Sequence, residues 1–294
     1  MSRTDRVWTP VELIRWTDGY LTERGFLEGR LNAERLLASV LGLRRLDLYL
    51  QFERPLTGEE LAEYKVRLRR RMGNEPLQYI EGSASFRKLE LTVDRRVLIP
   101  RPETELLVGE VLTWAARRQP DTLDALDIGT GSGAIALSLF VEGHFRQIVA
   151  TDASKDALDL AKENACRVGA EGRVDFRPGA LYLPVGRESF DVIVSNPPYV
   201  EETARSGMDA EVVEWEPSMA LFAGPDGLDV IRPLVAHAPD HLRQGGLLAI
   251  EIGASQGLAV AGLVRETGAF GAPRVQKDYA GRDRLVFAER LPAV

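Results

Sequence analysis

The sequence predicts an α/β protein in which a doubly wound, mostly parallel sheet follows a small helical domain. Beyond residue 120, short apolar segments alternate with amphipathic helical segments, as in successive βαβ units. Before residue 76, apolar residues recur at helical spacing behind capping signals. These patterns predict a helical domain over residues 1–75 and an α/β domain over residues 101–294, joined by a β-hairpin linker over residues 76–100.

Three helices are expected in the first domain. Thr9 places a capping hydroxyl before Pro10, a residue suited to the first position of a helix. Asn32 is predicted to cap a second helix, which Gly42 ends. A third helix is expected behind Thr57-Gly58-Glu59-Glu60, which has the spacing of a capping box. In each case a side-chain oxygen would satisfy free N–H groups of the first turn.

The period of the apolar residues changes in the linker. Leu77–Ile80 and Leu89–Val93 are predicted to form two short strands, because they alternate or contain β-branched residues and flank the small residues Gly82–Ser85. Pro100-Arg101-Pro102 then excludes both a helix and a central strand. A new helix is expected to begin near Glu103.

The α/β domain is predicted to contain five strands of a parallel sheet with helices between them. The strands are expected at Leu123–Ile128, Gln147–Thr151, Val174–Arg177, Phe190–Ser195 and Gly246–Ile252. The helices are expected at Ala134–Val141, Lys155–Val168 and Gly227–Ala238. A final hairpin, formed by Val275–Tyr279 and Arg284–Ala288, would add an antiparallel strand at the edge of the sheet.

Composition limits the class of protein. The chain has 294 residues and one cysteine, Cys166, which excludes an intramolecular disulfide and is predicted to be a small packing residue of a helix. No apolar run approaches the roughly 18 residues of a membrane span, and no signal-peptide core follows Met1–Arg6. A cytoplasmic protein that does not associate with a membrane is therefore expected.

The net charge of −7 bears on nucleic acids as partners. Proteins that bind nucleic acid usually carry a basic surface, because neutralising phosphates supplies most of their non-specific affinity. The one basic run, Arg67-Leu68-Arg69-Arg70-Arg71, is predicted to be a solvated face of a helix. Direct binding to naked nucleic acid is therefore disfavoured.

A glycine-rich loop is predicted where the first strand of the sheet ends. Asp127-Ile128-Gly129-Thr130-Gly131-Ser132-Gly133 places glycines in a tight turn before a helix N-terminus, where free N–H groups can face a ligand. Asp152 ends the next strand, where a carboxylate can accept hydrogen bonds from both hydroxyls of a ribose. With Ala134 the loop also satisfies the dinucleotide pattern G-x-G-x-x-A, so the loop alone leaves a nicotinamide dehydrogenase as an alternative.

A second loop, Asn196-Pro197-Pro198-Tyr199, follows the predicted strand Phe190–Ser195 and should face the same crevice. Its prolines stiffen the backbone and contribute no N–H, so the loop is rich in acceptors. The Asn196 side-chain oxygen and the Pro197 carbonyl can each accept one hydrogen of an –NH₂ group, and Tyr199 offers a flat apolar wall. Such a corner would aim the lone pair of a conjugated nitrogen at a sulfonium methyl group and stabilise the developing positive charge.

With these motifs the chain resembles the HemK-type protein-glutamine methyltransferases over nearly its whole length. The resemblance extends to the helical first domain, to the two loops above, and to Ile99-Pro100-Arg101-Pro102-Glu103-Thr104-Glu105, Glu216-Pro217-Ser218-Met219-Ala220-Leu221, Gly224-Pro225-Asp226-Gly227-Leu228 and Lys277-Asp278-Tyr279-Ala280-Gly281. It implies a Rossmann-like class I methyltransferase domain with a seven-stranded, mostly parallel sheet and an antiparallel C-terminal strand.

The resemblance also implies an activity. The family transfers a methyl group from S-adenosylmethionine, leaving S-adenosylhomocysteine, to the side-chain amide of the Gly-Gly-Gln glutamine in class I peptide chain release factors, which modulates translation termination. The implied catalytic residues are Asn196, Pro197 and Tyr199, and the implied substrate contacts add Pro198 and Arg101. The implied cofactor contacts are Asp127, Gly129, Thr130, Gly131, Ser132, Gly133, Asp152, Ala180, Leu181 and Asn196.

One segment departs from the family pattern. After the third strand the family usually has an acidic residue near the adenine, whereas this chain has Gly179-Ala180-Leu181. We expect Leu181 to pack on the base and a backbone group to replace the acid. We also expect a weaker affinity for the cofactor.

Recognition of the rest of the release factor is predicted for the helical domain and residues 201–224. Two other acceptors stay open: an adenine or guanine amino group of a nucleic acid, and a glutamine of a ribosomal protein. A non-catalytic cofactor-binding scaffold is disfavoured by the intact Asn196. No metal site is predicted, because Pro239 lies between His237 and His241 and no third ligand accompanies them.

Overall fold

The computed structural model describes residues 7–119 and 122–292. Met1–Arg6, after which no signal-peptide core is expected, lie outside the described residues. Two compact units are present. The first is the described part of Met1–Gly82 together with Ala210–Trp215, and the second is the described part of Ser83–Asp209 and Glu216–Val294. Within these described ranges, no helix is both long enough and apolar enough to span a membrane.

The described residues form eleven α-helices and nine β-strands. The helices are α1 (Pro10–Thr22), α2 (Gly29–Leu41), α3 (Gly58–Met72), α4 (Leu77–Glu81), α5 (Pro102–Ala115), α6 (Ala134–Glu142), α7 (Lys155–Arg167), α8 (Ala210–Trp215), α9 (Ser218–Leu221), α10 (Ile231–His241) and α11 (Gly257–Glu266). The strands are β1 (Ser83–Phe86), β2 (Leu89–Thr92), β3 (Leu123–Ile128), β4 (Phe145–Asp152), β5 (Val174–Pro178), β6 (Phe190–Ser195), β7 (Leu242–Glu251), β8 (Arg274–Lys277) and β9 (Asp283–Glu289).

The first unit is helical, and two of its three predicted helix starts are confirmed. Thr9 and Thr57 each form a capping box at the start of α1 and α3. The predicted cap at Asn32 is wrong, since α2 begins three residues earlier, at Gly29. Glu28 takes a left-handed conformation that starts the helix, and the buried Asn32 side chain donates to the carbonyls of Leu27 and Glu28 instead.

The predicted strand at Leu77–Ile80 is also wrong, because these residues belong to α4. Leu77 and Ile80 are three positions apart, which places them on one face of a helix, and both are buried in the apolar core of the first unit. Gly82, in the left-handed conformation, ends the helix. The hairpin of the linker is nevertheless present, one segment later, as β1 paired with β2.

The basic run on α3 is only partly a solvated face. Arg71 is buried, and its guanidinium donates to the Asn32 side chain at 2.7 Å and forms an ion pair with Glu211 of α8 at 2.6 Å. Arg70 pairs with Glu75. The solvated-face prediction is therefore wrong for Arg71, because this side chain connects three helices of the first unit.

The second unit confirms the predicted fold class. Its seven-stranded sheet has the order β5-β4-β3-β6-β7-β9-β8, with β9 antiparallel to both of its neighbours and the remaining pairs parallel. Successive residues of β3 lie in different core clusters: Ala125 packs with α5 and α6, and Leu126 packs with α10 and α11. Helices therefore cover both faces of the sheet, as a doubly wound fold requires.

Cys166 lies on α7, as predicted, but it is exposed, so its predicted packing role is wrong. The buried face of α7 is formed by neighbours such as Asn164 and Ala165. Because the helix turns by about 100° per residue, the position after Ala165 points away from the core.

Candidate active site

The chain order of the sheet reverses between β3 and β6. These strands are parallel neighbours, with Asp127 opposite Val194 and Ile128 opposite Ser195. The glycine-rich loop and the Asn196 loop therefore leave adjacent strands at the same edge of the sheet. In an open α/β sheet this reversal opens a crevice at the carboxyl ends of the strands, which is where ligands bind.

The glycine-rich loop has a conformation that only glycine adopts without strain. Gly129 and Gly131 have φ values of 74° and 55°, and a Cβ atom on either would meet no atom within 4 Å. Both residues thus border open space. Gly133 also has a positive φ, but a Cβ there would lie 3.1 Å from Leu137, so this glycine allows close packing inside the fold.

Asp127 supports the loop from below. Its side chain is fully buried, and Oδ2 accepts hydrogen bonds from the Thr130 hydroxyl at 2.6 Å and from the Ala136 N–H at 3.2 Å. Burial raises the pKa of this carboxyl to about 7. Asp127 does not line the crevice, so its structural contribution is to hold Thr130 and the first turn of α6.

Asp152 stands at the carboxyl end of β4 and lines the crevice. Its Oδ2 accepts the Gly131 N–H at 2.9 Å, and its Oδ1 accepts the Ser154 N–H at 2.8 Å. Burial raises the pKa of Asp152 above its ordinary value. Each carboxylate oxygen has a further lone pair, so this group can still accept bonds from two ligand hydroxyls.

The crevice encloses a cavity of about 360 Å³. The predicted site residues that line this cavity are Gly129, Thr130, Gly131, Ser132, Asp152, Ala180, Leu181, Asn196 and Pro198. Gly133, Pro197, Tyr199, Arg101 and Asp127 are not on this wall. A volume of this order suits a nucleoside-sized ligand.

The segment that departs from the family pattern lies on the cavity wall. Leu181 has a positive φ of 49°, and its carbonyl accepts a hydrogen bond from the Thr151 hydroxyl. Its side chain packs against an apolar core cluster. The carboxylates on the wall, among the described residues, belong to Asp152 and Asp229, and neither is on the segment after β5.

Asn196 is held by a chain of hydrogen bonds that runs from Thr104, which also lines the cavity, to the buried Glu251. Its Nδ2 donates to Thr104 Oγ1 at 3.0 Å, and the Thr104 hydroxyl donates to Glu251 Oε2 at 2.6 Å. The Tyr199 hydroxyl donates to Glu251 Oε1 at 3.3 Å. Burial raises the pKa of Tyr199, so its hydroxyl stays protonated near neutral pH, and burial raises the pKa of Glu251 to about 7.

Arg101 forms an ion pair with the buried carboxylate of Glu216 at 2.5 Å. Glu216 also accepts the N–H of Ile99. The residues next to these partners, Pro100 and Pro217, line the cavity. The structure thus places Arg101 where it joins two segments of the wall, and its predicted contact with substrate stays a prediction.

Sequence reasoning had not assigned a role to Thr104, Glu251 or Asp229. Thr104 lies inside the Pro-Arg-Pro-Glu-Thr-Glu segment, and Glu251 is the last residue of a buried strand. A charged residue that ends an apolar strand at the ligand edge of a sheet was a usable signal. The partnership of Thr104 with Asn196, 92 positions apart, had no local signal.

Two histidines of α10 have side-chain neighbours within the fold. The His241 ring stacks on Tyr182 with centroids 4.5 Å apart, and His237 lies 3.8 Å from Asp240. In the parts of the chain that the structure describes, no group of three or more His, Cys, Asp or Glu side chains could hold a metal ion.

A doubly wound sheet with a glycine-rich loop after β3, a carboxylate at the end of β4 and a proline-stiffened Asn corner after β6 has the fold of a class I methyltransferase. Family models agree: residues 12–82 match the PrmC N-terminal domain, and residues 104–214 match the methyltransferase small domain. The chain belongs to the release factor glutamine methyltransferases, as its relatives establish. The release factor glutamine methyltransferase of Geobacter sulfurreducens is 43% identical over 97% of this chain and 98% of its own length.

A second relative, the release factor glutamine methyltransferase of Chlorobaculum tepidum, is 40% identical over 95% of this chain and 97% of its own length. Among solved structures, the 16S rRNA N2 G1207 methyltransferase of T. thermophilus, in complex with AdoMet and guanosine, aligns with a TM-score of 0.52 and 19% identity. That alignment covers 71% of this chain and 49% of the other. At this identity the likeness supports the fold alone.

Proposed function

We propose that this protein transfers a methyl group from S-adenosylmethionine to the side-chain amide nitrogen of the Gly-Gly-Gln glutamine in class I peptide chain release factors. The observation that carries the proposal is that Asn196 lines the same cavity as the glycine-rich loop and Asp152. An acceptor for –NH₂ hydrogens and a nucleoside-sized site thus share one wall. Release factors act in translation, so we place the activity in the cytoplasm.

The residues of the cavity fit the cofactor. Gly129 and Gly131 leave open space where a side chain would otherwise project, Asp152 can accept both ribose hydroxyls, and Leu181 offers an apolar surface for the base. When bound, S-adenosylmethionine supplies an electrophilic methyl group on sulfur. Without a carboxylate after β5, backbone groups of Gly179-Ala180-Leu181 would take over polar recognition of the adenine.

The chain's own residues then orient the acceptor. The Asn196 side-chain oxygen and the Pro197 carbonyl would each accept one hydrogen of the glutamine –NH₂ group. Two such acceptors hold the nitrogen in place and stabilise positive charge as it develops, because they are already oriented and need not reorganise. Fixing the acceptor in line is worth up to ~7–11 kcal/mol of the barrier. Burial raises the pKa of Tyr199, so its hydroxyl stays protonated near neutral pH and does not serve as a base.

The direct test is mass spectrometry of a class I release factor after incubation with the protein and S-adenosylmethionine. We expect one added methyl group on the peptide that contains Gly-Gly-Gln, located by fragmentation on the glutamine side chain. Parallel reactions with ribosomal RNA and with ribosomal proteins test the two alternative acceptors. An unmodified factor together with a labelled RNA or ribosomal protein would overturn the proposal.

We further propose that the helical first unit recognises the rest of the release factor. This unit exposes large apolar side chains around its 3₁₀ turn, Arg45–Tyr49, where Leu46 is 75% and Leu50 81% exposed. Exposed apolar side chains that lie together mark interaction surfaces more often than isolated ones do. The net charge of the chain, −7, favours a protein surface over naked nucleic acid as the partner.

Changing both Leu46 and Leu50 to Asp should raise the KM for the intact release factor about tenfold or more, because each buried leucine contributes about 1.5–3 kcal/mol. The kcat for a short Gly-Gly-Gln peptide should not change, since the substitutions are outside the cavity. Leu258→Asp, at an equally exposed leucine of the second unit, is the matched control. Steady-state kinetics with both substrates decides the matter, and an unchanged KM for the intact factor would contradict the assignment.

A further inference from the structure

We propose that Thr104 and Glu251 are positioning residues. They orient the Asn196 side-chain amide so that its oxygen, and not its –NH₂ group, faces the substrate. This inference rests on the proposed function, since it assumes that Asn196 receives an –NH₂ group. It adds two residues to the acceptor site: Thr104, which is on the cavity wall, and Glu251, which is not.

The proposal starts from three side chains in a row: Asn196 and Thr104 line the cavity, and Glu251 lies behind them. Asn196 Nδ2 lies 3.0 Å from Thr104 Oγ1, and Thr104 Oγ1 lies 2.6 Å from Glu251 Oε2. Thr104 is 4% exposed and Glu251 is 1% exposed. A carboxylate buried this deeply costs stability unless it is hydrogen-bonded. Packing alone therefore does not explain why Glu251 is a carboxylate.

The directions of the hydrogen bonds follow from a count of protons. Above its pKa of about 7, Glu251 is mostly ionised. An ionised carboxylate only accepts, so in this form the single hydrogen of the Thr104 hydroxyl points to Glu251. The Thr104 oxygen then has only lone pairs to offer, and the Asn196 amide must present its –NH₂ end to it. Its carbonyl oxygen is thereby left as the free end, which is the end that an –NH₂ substrate requires.

The other neighbours of Glu251 favour the same arrangement. Arg284 donates from Nη1 toward the Tyr199 hydroxyl oxygen at 3.4 Å, so the Tyr199 hydrogen is directed to Glu251 Oε1. Burial, and to a smaller extent the Glu103 carboxylate, raise the pKa of Glu251, and the Arg284 guanidinium offsets part of this rise, so that the pKa is about 7. Both carboxylate oxygens thus receive a hydroxyl hydrogen. A reversed Asn196 amide would leave its carbonyl facing a Thr104 oxygen without a hydrogen to give.

The fold places these groups by two independent elements. Thr104 lies in the first turn of α5, which begins at Pro102, and Glu251 is the last residue of β7, the strand next to β6. The loop that carries Asn196 leaves β6. The orientation of the amide therefore depends on three segments that meet at the carboxyl edge of the sheet.

The first test compares Thr104→Val with Thr104→Ser. Valine keeps the shape but has no hydroxyl, and we expect kcat for release factor methylation to fall about 100-fold, the effect of a misplaced catalytic group. The dissociation constant of S-adenosylmethionine should change little. Serine keeps the hydroxyl and should restore kcat. Thr113→Val is the matched control on the same helix, since its exposed hydroxyl bonds only the Gly109 carbonyl.

The second test replaces Glu251 by Gln. A glutamine amide can donate as well as accept, so it no longer dictates the direction of the Thr104 hydroxyl, and both orientations of Asn196 become populated. We expect kcat to fall, by less than in Thr104→Val, with the cofactor affinity retained. A Glu251→Gln variant with the kcat of the wild type would overturn the role of Glu251.

A third measurement needs no methyl acceptor and so separates this inference from the proposed function. The side-chain ¹⁵N–¹H pair of Asn196, assigned through its loss in Asn196→Asp, should exchange slowly with solvent in the wild type and faster in Thr104→Val. Unchanged exchange would refute the inference even if the factor is methylated. A wild type that methylates no release factor but shows the expected exchange pattern would refute the proposed function alone.

Discussion

Replacing Asn196 by Ala should lower kcat for release factor methylation by about 10²–10³-fold, the loss seen when one preoriented polar group of a transition-state site is removed. Asn196 supplies the side-chain oxygen that would hold one hydrogen of the glutamine amide. Alanine has no acceptor, so the nitrogen would lose its orientation and part of the stabilisation of its developing charge. Single-turnover kinetics with saturating cofactor measures the effect on the chemical step.

Cofactor binding is the internal control for this variant. Asn196 contributes one of many residues to the cavity wall, so the dissociation constant of S-adenosylmethionine, measured by calorimetry, should stay within about threefold of the wild type, which is under 1 kcal/mol. Turnover at the wild-type rate would mean that the acceptor is held elsewhere. A large loss of cofactor affinity with an unchanged rate at saturation would move Asn196 from the acceptor site to the cofactor site.

Replacing Asp152 by Asn should weaken S-adenosylmethionine binding about 10- to 100-fold. The charged carboxylate can accept both ribose hydroxyls, whereas an amide has one accepting oxygen, and a hydrogen bond to a charged group contributes about 1.5–3 kcal/mol. Asp152 also accepts the N–H groups of Gly131 and Ser154, so its loss would loosen the glycine-rich loop as well. Calorimetric titration of the cofactor gives the dissociation constant directly.

Asp159→Asn is the matched control for Asp152→Asn, because it removes the same charge from an exposed position on α7. Its cofactor affinity should equal that of the wild type. If Asp152→Asn also binds the cofactor as the wild type does, the ribose is not recognised at the end of β4. In that case Asp229, the other carboxylate on the cavity wall, becomes the candidate.

The elements that sequence reasoning predicted well are those whose signals are local. The capping boxes at Thr9 and Thr57 needed only residues three positions apart, and the strand Leu123–Ile128 needed only an apolar run between breakers. Leu77–Ile80 failed for the opposite reason: four residues can be apolar in a strand or in a helix turn. Here the helix is favoured because it places Leu77 and Ile80 on one side, where both are buried in the core of the first unit.

The sequence by itself determined the fold class, the two loops of the site and the family, since each is written in contiguous residues such as Asn196-Pro197-Pro198-Tyr199. Only the tertiary structure decided which side chains stand behind them. Thr104 and Glu251 are 147 positions apart in the chain, yet they share one hydrogen bond. Such a bond arises because neighbouring strand and helix ends converge at one edge of the sheet. The local sequence around either residue does not predict its partner.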